Sequence, residues 1–196
     1  MLSKNCSLVA IFLVATTTVA LAHSGASGVV KQRMDAMSEM GKTIKDLAAM
    51  MRGEKAYEAK VVKTGAALIG RHSGDTMTGL FPKGSKHGPS EAREEIWTDW
   101  DEFVDLSNRL EIFAAGLSDA ANNGLMADAA KSGTGSSNMM MGQSMMGGSM
   151  MGGSMMAAGA GVPDREMLAS MPADGVFNML TQTCSACHTK FRLEKK

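Results

Sequence analysis

Apolar residues recur at alternating steps of four and three in two stretches of this chain, and a third stretch shares one helix face through steps of three and four. This spacing constrains the fold more than any other feature. Residues spaced in this way lie along one face of an α-helix, and that face has to be buried against other helices. Aromatic residues make up only 5% of the chain, too few to favour an all-β domain. The sequence therefore predicts an all-α fold. The stretches contain Val30, Met34, Met37, Gly41, Ile44, Ala48 and Met51, then Ile96, Trp100, Phe103, Ser107, Leu110, Ala114 and Leu117, and finally Val176, Phe177, Leu180, Cys184, Cys187 and Phe191.

A weaker helix is predicted over residues 54–71, which brings the number of helices to four. Glycine and proline mark residues 74–89 as a loop, and Ser90 then stands as an N-cap of the third helix. Trp97 and Trp100 lie on or beside the stripe of that helix, and we assign both to the core. The apolar side of the weaker helix consists of Ala59, Val62, Ala66 and Ile69.

Residues 1–22 have the composition of a secretory signal. Lys4 supplies the positive start, an apolar region begins at Leu8, and residues 20–22 read Ala-Leu-Ala before a cut. Three threonines interrupt the apolar region, which is too short for a membrane-spanning helix. We expect export and cleavage, which remove Cys6 and leave residues 23–196 with two cysteines. The net charge of zero gives no sign of nucleic-acid binding.

Residues 124–163 form a low-complexity segment, named here the Met-rich insertion. Its centre repeats the pattern MMGQS, MMGGS, MMGGS and MMAAG over residues 140–159. Glycine at this density opposes helix and sheet, which predicts a flexible segment. Its thioethers are soft ligands that suit copper(I). A mobile spacer is the interpretation that the composition favours, and a copper site is the alternative.

The two remaining cysteines belong to the sequence CSACH at residues 184–188. A thioredoxin-like pair opens a helix in a βαβ unit, whereas this pair closes a helix. A disulfide is possible in an exported protein but leaves His188 without a role. Covalent haem uses all three residues, because Cys184 and Cys187 each add to a porphyrin vinyl group and His188 binds the iron. The motif therefore favours one covalently attached haem c.

At this point the chain resembles a known family, the class II c-type cytochromes, or cytochrome c' family. The resemblance spans residues 29–123 and 171–192 and includes GKTIKDLAAMMRGEKAYE (41–58), LFP (80–82), IWTDWDEF (96–103) and CSACHTKFR (184–192). It implies an antiparallel four-helix bundle in the periplasm, with haem attached near the C-terminus. The Met-rich insertion departs from the family pattern, since a short connection is expected there.

The resemblance also implies further site residues. Arg33 matches an arginine near the haem propionates, although a solvated helix charge is an equal alternative. Arg192 resembles the family arginine that follows the haem motif, but together with Lys190, Lys195 and Lys196 it could simply favour the negative end of the last helix. The distal residue lies four positions after Arg33, and here it is Met37.

Function depends on whether Met37 binds the iron. A bound thioether gives six-coordinate, low-spin iron that carries single electrons, with periplasmic redox proteins as partners. Without that bond, the iron is five-coordinate and binds nitric oxide or carbon monoxide. An enzymatic role is disfavoured because the methionine stripe supplies neither acid nor base. We expect an electron carrier that does not span the membrane once the signal is cleaved. The sequence is compatible with a homodimer.

Overall fold

The computed structural model describes residues 25–86, 88–126 and 162–194. The predicted signal, residues 1–22, and most of the Met-rich insertion lie outside these residues. The described residues form helices and a single β-bridge, between Ala92 and Arg192. None of these helices has the length and apolar composition needed to cross a bilayer. The α-helices are α1 (Gly28–Met51), α2 (Ala59–Arg71), α3 (Gly74–Thr78), α4 (Glu95–Thr98), α5 (Trp100–Ala120), α6 (Arg165–Ser170) and α7 (Ala173–Phe191), and a 3-10 helix, Ala121–Asn123, follows α5.

Four long helices, α1, α2, α5 and α7, form the bundle, which confirms the predicted fold class. Helix α5 is central because it packs against α2, α7 and the short helices α3 and α6. Leu117, Val62 and Leu180, from three of the long helices, are fully buried between them. Burial of such side chains contributes about 1.5–3 kcal/mol each and supplies most of the driving force for the bundle.

The buried face of α1 differs in phase from the predicted stripe. Met34 and Met37 are only half-buried and Gly41 is exposed, although all three were assigned to the stripe. Apolar residues cover more than one stripe of this helix, so the spacing fixed the helix but not the face that meets the core. The residues of α1 that are buried are Val30, Arg33, Ala36, Met40, Leu47 and Met50.

Helix α2 begins at Ala59, five residues later than predicted. Gly53 adopts a positive φ of 73°, and the N–H groups of Glu54 and Lys55 turn back to the Ala49 carbonyl oxygen. These bonds close α1 and keep the next residues out of a helix. The predicted apolar side is otherwise correct, since Val62, Ala66 and Ile69 are buried and Ala59 is half-buried.

The predictions around the start of the third helix were wrong in two respects. Ser90 is not an N-cap, because residues 91–93 pair with residues 191–193 and the helical turns start only at Glu95. Trp100 is 36% exposed and therefore not a core residue, whereas Trp97 is half-buried and packs against the core. The predicted loop at residues 74–89 also contains the short helix α3.

The described flanks of the Met-rich insertion are fastened together at one end of the bundle. The Asn123 side-chain amide donates to the carbonyl oxygens of Ala169 and Met171, both at 2.7 Å. The Ala173 N–H donates to the Gly124 carbonyl oxygen at 2.9 Å. These contacts join the end of α5 to the start of α7, so the chain leaves and re-enters the bundle at one place.

Candidate haem-binding site

A cavity of about 410 Å³ lies between the first half of α1, Phe81, residues 89–96, the start of α5 and the last turns of α7. This is the end of α7 opposite to the flanks of the Met-rich insertion. The cavity contains five of the six predicted site residues, and Cys184 lies one helical turn away from Cys187. The lining residues are Arg33, Met34, Met37, Ser38, Gly41, Phe81, Pro89, Ser90, Glu91, Ala92, Ile96, Phe103, Cys187, His188, Phe191 and Arg192.

Helix α7 places the two thiols and the imidazole on one wall. Cys184 and Cys187 are three residues apart, so they share a helix face, and both pack against the core with free thiols. Burial raises the pKa of Cys184 to about 11 and that of Cys187 to about 12. The thiols are therefore held neutral. Burial, and then the positive charge of Arg192, lower the pKa of His188. This favours the neutral imidazole that can bind a metal.

Helix α1 supplies a second wall that carries two thioethers. Met34 and Met37 both line the cavity, one helical turn apart, and Met37 also packs against the core. Met40 is 7% exposed and belongs to the core instead. The structure therefore reduces the three neighbouring methionines of this helix to two candidate ligands, Met34 and Met37.

Arg33 is a buried residue, so its interpretation as a solvated helix charge was wrong. Its side chain is 4% exposed, and its guanidinium donates to the Ser85 carbonyl oxygen at 2.9 Å and to Ser90 Oγ at 2.6 Å. The guanidinium also lies 4.8 Å from the ring centroid of Phe81. Burial lowers the pKa of Arg33. These acceptors are neutral oxygens, so Arg33 brings a positive charge to the cavity wall and holds the 80–90 segment against α1.

Arg192 forms part of a short extended pairing beside His188. Its Nε lies 2.7 Å from Glu91 Oε2, and the Leu193 N–H donates to the Glu91 carbonyl oxygen at 2.8 Å. Lys190, in the last turn of α7, pairs with Glu102 of α5 and with Asp99, which precedes that helix. Lys195 and Lys196 lie outside the described residues. Residues 91–93 thus close the cavity against the last turn of α7.

Three aromatic rings form the apolar floor of the cavity. Phe103 makes edge contacts with Phe81 and Phe191, with ring centroids 4.9 and 5.5 Å apart. Trp97 Nε1 donates to the Phe81 carbonyl oxygen at 2.9 Å, which fixes the turn that carries Phe81. These edge-to-face rings are buried and give the cavity an apolar floor that an aromatic ligand could contact.

The sequence interpretation missed Ser38 and Glu91 as cavity residues. Ser38 follows Met34 by four residues, so the helical repeat alone could have placed it on the same wall. Glu91 reaches the cavity through its pairing with residue 193, for which the sequence gives no local signal.

The donor set and the shape of the cavity fit covalent haem. Two thiols one turn apart match two vinyl groups, the adjacent imidazole is neutral, and the walls are largely apolar. A cavity of this size is in the range of ligand and cofactor sites. Cys184, Cys187 and His188 would hold the group from α7, and Met37 or Met34 would face it from α1.

Comparison with known proteins supports the same interpretation. A cytochrome c' of Rhodopseudomonas palustris is 36% identical over 83 residues, which span 42% of this chain and 56% of that protein. A cytochrome c-556 of Agrobacterium tumefaciens is 26% identical over 174 residues, which span 86% of this chain and 100% of that protein.

Solved structures share the fold. The cytochrome c' from Rhodopseudomonas palustris superposes with a TM-score of 0.57 at 23% identity and covers 87% of this chain and 100% of its own. A nitric oxide complex of a cytochrome c prime variant from Alcaligenes xylosoxidans gives 0.54 at 20% identity, covering 85% and 94%. Both likenesses support the four-helix bundle.

The sequence model of the family described as Cytochrome C' matches residues 28–138. The match covers more than half of the chain and includes α1, α2 and α5. The chain therefore belongs to the cytochrome c' family, whose cofactor is covalently bound haem c.

Proposed function

We propose that this protein is a periplasmic electron carrier in which His188 and Met37 would both bind the iron of a covalent haem. The observation that supports this function is the presence of Met37 and His188 on two walls of one cavity. Cys184 and Cys187 would attach the haem by thioether bonds. The bound haem supplies a one-electron iron couple.

The side chains around the cavity have defined roles in this function. His188 is held as a neutral imidazole, which is its metal-binding form. The Met37 thioether would also bind the iron, raise the potential and keep small ligands away from the iron. The buried rings of Phe81, Phe103 and Phe191 exclude water from the cavity floor.

Residues 1–22 would direct export, and the partners would be one-electron donors and acceptors of the periplasm. The Met-rich insertion would be a spacer beside this function, with copper(I) binding as its alternative. Arg33 would contribute its buried positive charge near the haem propionates, and Arg192 would lie on the His188 side.

Gas binding is the second candidate function. It is favoured by the solved relative that is a nitric oxide complex and by the flexibility of methionine side chains, which can lie beside an iron without bonding to it. In that case His188 would hold the iron without Met37, and the iron would be open to nitric oxide or carbon monoxide.

The visible absorption spectrum of the ferrous holoprotein separates the two functions. We predict a low-spin spectrum for the unaltered protein. For Met37→Leu we predict a high-spin spectrum and ready carbon monoxide binding. This substitution nearly keeps the side-chain volume and should cost under about 1.5 kcal/mol in packing. Met34→Leu, in the same cavity, and Met40→Leu, in the core, are the matched controls and should stay low-spin. A high-spin unaltered protein would replace the carrier by the gas-binding function.

A further inference from the structure

Gly41 lies well inside α1, where glycine is among the least favourable residues. Its backbone is helical and needs none of the conformational freedom of glycine. Alanine would stabilise the helix at such a position if the surroundings allowed a side chain. The presence of glycine therefore needs an explanation outside the helix itself.

Close packing against other described residues does not supply that explanation. A Cβ added at Gly41 would meet no heavy atom of a neighbouring element within 4 Å. Gly65 of α2 is different, because a Cβ there would lie 3.0 Å from Leu47 Cδ1, and its small size permits the close approach of α1 and α2. The room above Gly41 belongs to the cavity, which this residue lines.

The position of Gly41 relates it directly to Met37. The two residues are four apart and line the same cavity, and Ser38 completes the turn between them. Side chains of an α-helix lean toward its N-terminus, so a side chain at position 41 would project over the turn that carries Met37. Glycine keeps this part of the wall flat.

We infer that Gly41 is a positioning residue, whose missing side chain lets the haem ring approach α1 closely enough for the Met37 thioether to reach the iron. The inference rests on the proposed function and deepens it, because it names what sets the ligand distance. A side chain at position 41 pushes the ring away from α1 and weakens the bond from Met37, in proportion to its size.

The test compares the holoprotein with Gly41→Ala and Gly41→Leu, and uses Gly70→Ala as the matched control. Gly70 is a helical glycine of α2 that does not line the cavity, and its added methyl group would make an ordinary contact of 3.7 Å with Ala114. Ferrous spectra, carbon monoxide titration and thermal unfolding are measured for each protein. We expect the high-spin fraction to increase from glycine to alanine to leucine, with Gly70→Ala unchanged.

The outcomes distinguish this inference from the proposed function. If the unaltered protein is low-spin and both Gly41 variants stay low-spin with higher unfolding temperatures, Gly41 has no positioning role and the inference is wrong. If the unaltered protein is high-spin, Met37 does not bind the iron, and the carrier function and this inference are both wrong.

Discussion

Replacing Arg33 by methionine tests the buried contacts that connect α1 to the 80–90 segment. Methionine keeps much of the length of the side chain but has no donors and no charge. The Ser85 carbonyl oxygen, now 2.9 Å from the guanidinium, loses that donor inside the protein. A buried acceptor without its donor costs about 1–3 kcal/mol.

Two further effects enter the magnitude. Loss of the cation–π contact with Phe81 removes about 0.5–2 kcal/mol. Removal of a buried charge recovers part of the desolvation cost, which acts in the opposite direction. We therefore expect Arg33→Met to lower the free energy of unfolding by about 2 kcal/mol.

Denaturant unfolding of the holoprotein, followed by helical circular dichroism, measures this loss. The control is Arg52→Met, since Arg52 is an exposed residue of an ion pair with Glu54 and should change stability little. A second measurement, the midpoint potential, should fall for Arg33→Met because a positive charge beside the cavity favours the reduced haem. The reasoning is refuted if Arg33→Met is no more destabilising than Arg52→Met.

Two other predictions follow from the site and from the insertion. Cys184→Ala or Cys187→Ala should leave one thioether at most, and His188→Ala should remove the iron ligand on α7. If acidified organic solvent extracts the haem from the unaltered protein, the haem is not covalently attached. Deleting residues 127–161 and joining the flanks by a short linker should preserve the haem spectrum and change stability little, because loop closure changes by only about 0.6 kcal/mol per doubling of length. Large losses of helicity or haem on deletion would mean that the insertion packs on the bundle.

The helices and the haem motif could be predicted because their signals are local. The C-x-x-C-H residues are adjacent in the chain, and the periodic stripes required only the geometry of one helix. The all-α class and the burial of Val62, Ala66 and Ile69 followed from the same information.

The errors lie where distant segments decide the structure. Ser90 looked like an N-cap, but its hydroxyl accepts from Arg33, and residues 91–93 pair with a segment about a hundred positions later. Arginine side chains usually lie at the protein surface. Arg33 is buried because its guanidinium donates to Ser85 and Ser90, which are distant in the sequence. The phase of α1 was wrong because Met34 and Met37 line the cavity and are only half-buried, and the sequence of one helix does not show where a cavity lies.

The hydrogen bonds between residues 123–126 and residues 169–174 make this end of the bundle a place where other sequences can be inserted. From Ala173 to His188, α7 extends about 22 Å at 1.5 Å per residue, so the junction and the cavity lie at opposite ends of one rigid rod. Asn123 and Ala173 donate to backbone carbonyl oxygens of the flanking residues. These hydrogen bonds therefore do not depend on the side chains inserted between the two flanks. A peptide tag, a binding domain or a linker to an electrode that replaces the Met-rich insertion would lie at the end of the bundle opposite the haem site.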